Sequence, residues 1–71
     1  MVIKFWRTKE CRERGNSEIY DVKYTDKYDL ISIAKRMVDR DGVACVEVVE
    51  KEGYYDEEVL YVYDGVEEYI F

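Results

Sequence analysis

Carboxylates and phenols are the side chains in this chain that could do chemistry. Residues 39–71 hold eleven acids against two bases, a net of −9, and five of the eight tyrosines, Tyr54, Tyr55, Tyr61, Tyr63 and Tyr69. The acids cluster as Glu47, Glu50, Glu52, Asp56, Glu57, Glu58, Asp64, Glu67 and Glu68. Carboxylates projected from strands and turns imitate the charge lattice of nucleic-acid phosphates. Tyrosines beside them add rigid amphipathic contact area of the kind that anchors interfaces. The expected site comprises Tyr54, Tyr55, Asp56, Glu57, Glu58, Tyr61, Tyr63, Glu67 and Glu68, offered to a basic protein surface. The competing reading is that these acids keep a small domain soluble and guard its strand edges.

The other candidates are weaker. Residues 1–14 carry Lys4, Arg7, Lys9, Arg12 and Arg14 against two acids, a net of +3, with Phe5 and Trp6 nearby. Bases and aromatics together suit single-stranded nucleic acid. Glu10 and Glu13 interrupt them, and the chain as a whole has a net charge of −6, opposite to the usual basic footprint. Direct nucleic-acid binding is therefore not expected. Cys11 lies among cations that lower a thiol pKa, but it has no base or resolving partner in sequence. The chain has no histidine, which removes the commonest general base and metal ligand. Asp39-Arg40-Asp41-Gly42 resembles the start of a calcium loop, but Val43 and Ala44 fall where a ligand and a glycine are required. Glu57-Glu58 lacks an apolar pocket to tune it for acid–base work. The expectation is a non-enzymatic protein without metal or cofactor.

These side chains need a scaffold. Seventy-one residues support one domain, residues 1–71, with a single modest core. No apolar run approaches a membrane span. The first residues form no signal-peptide pattern, so a cytoplasmic protein complete from its own methionine is expected. Two cysteines fit reduced thiols better than a disulfide framework.

Val2 to about Arg12 reads as a strand, with Gly15-Asn16 as a hairpin turn. Glu18–Tyr24 alternates with period two, a second strand. Lys27–Arg40 is the helix. Asp26 is its N-cap, Leu30, Ile33, Ala34 and Met37 form its apolar stripe, and Gly42 stops it. Val43–Glu50 is valine-rich and reads as the central strand. Glu58–Tyr63 and Val66–Phe71 flank the turn signal Asp64-Gly65. The fold class is α+β, β-β-α-β-β-β, an antiparallel sheet with one helix packed on one face.

One helix covers one face at most. The other is expected to carry Val2, Trp6, Ile19, Cys45, Val49, Val59, Tyr61 and Tyr63. An apolar patch there marks an interface, so a second expectation is a homodimer or larger assembly formed around Trp6, Val49, Val59 and Tyr61. The leading expectation remains an inhibitor-like binder of a basic surface, such as that of a nucleic-acid-binding enzyme. Phages and mobile elements make small acidic chains that block restriction or CRISPR nucleases by mimicking nucleic acid, and the analogy here is one of size and charge.

Overall fold

The computed structural model describes residues 1–23, 26–52 and 56–71, the side chains of 51, 52 and 56 excepted. In chain order the elements are β1 (Val2–Trp6), α1 (Lys9–Arg14), β2 (Glu18–Tyr20), α2 (Lys27–Asp41), β3 (Cys45–Glu52), β4 (Asp56–Tyr63) and β5 (Glu68–Ile70). The strands form one antiparallel sheet in the order β2-β1-β3-β4-β5, with the valine-rich β3 at its centre. The α+β class with one helix across one face is as expected.

The first segment differs from its sequence reading. The strand ends at Trp6, and residues 9–14 turn into a short helix. Thr8 caps it, its Oγ1 accepting from the Cys11 N–H at 3.0 Å. Gly15 closes it in the left-handed region, φ 74°, and donates to the Arg12 carbonyl at 3.2 Å. Gly15 is thus a helix stop, not a hairpin turn. The charges of α1 match its dipole, with Glu10 in the first turn and Arg12 and Arg14 in the last. β2 is also shorter than its alternation implied and ends at Tyr20.

α2 behaves as its pattern requires. The Asp26 carboxylate accepts from the Tyr28 N–H at 2.8 Å, and Gly42 adopts φ 74° at the other end. Leu30 and Ala34 are fully buried against Ile3, Phe5, Val46, Val48 and Tyr61 of the sheet. Ile33, Met37, Val38, Leu60 and Tyr63 pack around that cluster.

A bulge decides which side chains share a face. Val48 lies opposite Tyr61, but its neighbour Val49 lies opposite Val59, so Leu60 is an extra residue in β4. An added residue reverses the alternation of everything beyond it. Val59 therefore joins Val2 and Val49 on the face away from α2, whereas Tyr61 and Tyr63 turn toward the helix core. The expectation that Tyr61 and Tyr63 line the uncovered face is corrected on this ground.

The uncovered face is also not the open apolar patch expected. Trp6, Cys45 and Val49 are buried, as is Tyr61 on the other side. Lys9, Arg12 and Glu13 of α1 line a cleft with Ala44 and Asp64, next to the Cys45 end of β3. At its middle, the Lys4 ammonium lies 3.2 Å from a Glu57 carboxylate oxygen and 5.4 Å from the Trp6 ring centre. Of the residues expected at an assembly contact, Trp6, Val49 and Tyr61 are buried and Val59 is half-buried.

Candidate functional site

Among the described side chains, the acids of the C-terminal half separate into two groups, those that meet a partner group of the chain and those that meet no cation. Glu68 belongs to the first. Its carboxylate accepts from the Tyr61 hydroxyl and lies 3.5 Å from the Lys35 ammonium. The Tyr61 bond, more than the lysine charge, holds Glu68 below the usual carboxylate range. Burial, reinforced by that same bond, pushes the Tyr61 phenol well above its ordinary value. Tyr63 donates to Asp39 of α2 at 2.7 Å, which raises its phenol too, and Lys35 sits 5.7 Å over its ring. This network fastens β4 and β5 to α2.

Glu57 and Asp64 are likewise occupied. Glu57 pairs with Lys4 across the uncovered face. Between them, Glu47 of β3 is held above its usual value, chiefly by burial; Lys4 pulls the other way. Asp64 organises the β4–β5 turn, its Oδ1 accepting from the N–H groups of Val66 at 2.9 Å and Glu67 at 2.8 Å. Those backbone donors hold its carboxyl below the ordinary value. Gly65, at φ 90°, supplies the left-handed residue the turn needs. Arg12 approaches the same carboxylate at 3.9 Å.

The second group lies along the distal part of the β3–β4 hairpin. Glu50 stands directly opposite Glu58 in the strand register, and Glu52 stands opposite Asp56. Opposed side chains on antiparallel strands have Cβ atoms about 5 Å apart, and like charges in that position repel. Among the described residues, neither Glu50 nor Glu58 has a cation within ion-pair distance. Glu58 is exposed and Glu50 half-buried. Among the described residues, the fold thus supplies lysines to Glu57 and Glu68 and none to this pair.

The residues expected at the site are therefore dispersed. Tyr54 and Tyr55 lie outside the described residues, as does the side chain of Asp56. Tyr61 is buried, and the Tyr63 hydroxyl is engaged at the surface by Asp39 of α2. Glu57 and Glu58 point to opposite faces, one paired and one not. Glu67 is exposed at the end of the turn, where the Tyr69 hydroxyl reaches it at 3.4 Å. Glu50 was visible in sequence only as one acid among many. The signal that singles it out is the cross-strand register, which the bulge at Leu60 sets.

The described residues include no group of three or more acids or cysteines placed to hold a metal ion. No described helix is long and apolar enough to cross a membrane. Cys45 is buried, and that burial raises its thiol pKa, away from reactivity. Comparison with protein-family models, curated proteins and solved structures found no match to the chain.

The Tyr61–Glu68 bond has a consequence for pH. A carboxyl whose folded pKa lies below its unfolded value stabilises above the unfolded value, about 4.3 for glutamate, and that contribution is lost as pH falls through the folded one. A phenol whose folded pKa is raised stabilises below about 10, and that contribution is lost as pH climbs from there toward the folded value. The stability advantage of the wild type over Tyr61→Phe is expected to be greatest near neutrality and to shrink on both the acid and the alkaline side. Urea melts across that range, followed by circular dichroism, check it; an advantage independent of pH would contradict it.

Proposed function

We propose that this chain is a small non-enzymatic protein-binding module, whose contact is the acidic face of the β3–β4 hairpin and whose partner presents a basic surface. The observation that carries the reading is the opposition of Glu50 and Glu58 with no cation supplied to either among the described residues. A cross-strand repulsion costs stability in the free protein, and a lysine or arginine arriving from a partner relieves it. The same chain does neutralise Glu57 and Glu68 with its own lysines. The absence of histidine and the burial of Cys45 agree with a role in binding.

The partner class follows from the charge pattern. A basic protein surface that accepts a ladder of carboxylates is one suited to phosphates, so a nucleic-acid-binding enzyme is the fitting target. Occupying that surface would make the chain an inhibitor of a nuclease of the restriction or CRISPR type.

The test is capture from host lysate at low salt, elution at high salt, and titration of the purified captured protein. Binding should weaken steadily as salt rises, by screening, and duplex DNA should compete with the chain for its partner. Salt-insensitive capture contradicts the charge-based contact. Capture that duplex DNA cannot displace contradicts the nuclease-directed refinement while leaving the basic partner in place.

A further inference from the structure

β5 is the last strand of the sheet, and among the described residues its outer edge has no partner. Its apolar residues and the Phe71 that follows are unusually open, with Tyr69 52%, Ile70 57% and Phe71 67% exposed, and the rings of Tyr69 and Phe71 stacked 6.5 Å apart. Exposed strand edges template pairing with another chain. Which chain fits can be read from the backbone.

In β5, Glu68 lies opposite Tyr63, Tyr69 opposite Val62 and Ile70 opposite Tyr61. Two flanking bonds fix the phase of the ladder, from the Asp64 N–H to the Glu67 carbonyl at 3.3 Å and from the Phe71 N–H to the Leu60 carbonyl at 3.0 Å. Both bracket non-hydrogen-bonded pairs in an antiparallel ladder. The amide groups of Glu68 and Ile70 consequently point away from β4, toward the open edge, while those of Tyr69 point inward.

We infer that this edge receives the β5 of a second copy, antiparallel, about a two-fold axis at Tyr69. In that register Glu68 exchanges both backbone bonds with Ile70 of the other copy, and Ile70 does the same with its Glu68. Tyr69 meets Tyr69 across the axis at a closely spaced, non-hydrogen-bonded position. Glu67 meets Phe71, whose carbonyl accepts from Lys27, so each copy brings an ammonium to the Glu67 end of its neighbour. No carboxylate side chain stands directly opposite another, and Lys27 offsets the backbone oxygen of Phe71 that faces Glu67.

The alternatives are poorer. Centring the axis on Glu68 sets two carboxylates face to face, which repel. Centring it on Ile70 leaves the outward groups of Glu68 without partners. The contact is isologous and closes as a dimer with one continuous sheet. It leaves the Glu50–Glu58 face free, so it stands apart from the proposed partner contact.

Sedimentation equilibrium over a range of concentrations tests it. The wild type should dimerise. Ile70→Pro should weaken the dimer at least about tenfold, because it removes an outward N–H that β4 does not use. Tyr69→Lys, which opposes two ammonium groups at the axis, should weaken it at least as much. Circular dichroism confirms that each variant keeps its fold, and the Tyr69→Lys arm carries the test should Ile70→Pro unfold. A wild type monomeric throughout overturns the inference. So does a dimer that survives both folded variants, or one that Ile19→Lys on the opposite edge abolishes instead.

Discussion

Tyr61→Ala is expected to remove about 3–5 kcal/mol of stability, as aromatic-to-alanine truncations in packed cores do. Tyr61 is fully buried against α2, its ring belongs to the central cluster, and its hydroxyl joins β4 to the Glu68 of β5. A domain of 71 residues has roughly 4–10 kcal/mol in total, so the variant should be partly unfolded in buffer or unfold at very low urea. Tyr28→Ala is the control. That ring is 68% exposed in the first turn of α2, outside β5, and its loss should cost no more than about 0.5 kcal/mol. Equal effects of the two substitutions in urea melts would contradict the placement of Tyr61 inside the core.

Glu58→Lys is expected to have opposite effects on stability and binding. It converts the repulsion with Glu50 into an attraction, worth about 0.2–1 kcal/mol to the free domain by the scale of cross-strand pairs. Against a basic partner it should weaken binding by about tenfold to a hundredfold, with much of the loss in the association rate, where long-range charge acts. Glu57→Lys separates this from a general charge effect. It makes the same change in net charge one residue away, but on the opposite face and at the expense of the Lys4 pair. It should lower stability slightly and leave most of the binding intact. Equal losses of binding in both variants would mean that the partner senses net charge, not the hairpin face.

Most of the scaffold was legible because it depends on local rules. Asp26, the stripe from Leu30 to Met37 and Gly42 specify α2 through capping, periodicity and a left-handed stop, each readable within a few residues. The valine content of β3 marks a strand buried on both faces, and it is central in the sheet. α1 was equally local but masked by the apolar start of the chain. Thr8, Glu10, Arg12, Arg14 and Gly15 form a complete set of helix signals just past the end of β1. The alternation of Val2–Trp6 carried the strand reading over them.

The candidate site was less legible, for a physical reason. Facing in a strand follows parity, and one bulged residue inverts parity for all that lies beyond it. Leu60 does this between Val59 and Tyr61, which sends Tyr61 and Tyr63 into the core and leaves Val59 outside. No local signal in Glu57–Tyr63 marks the bulge. Which acids are neutralised depends in turn on lysines far away in sequence, Lys4 for Glu57 and Lys35 for Glu68. Those pairings are set by the order of strands, with β1 beside β3 and α2 lying over β4.

The opposition of Glu50 and Glu58, which meets no cation among the described residues, as a place kept for a cationic partner is tested most directly by making both residues glutamine. Two quantities are then followed, the melting temperature of the free protein and its affinity for the purified basic partner. The proposed role predicts a free protein that melts higher than wild type and binds at least about tenfold more weakly. A variant that binds as tightly as wild type would contradict it.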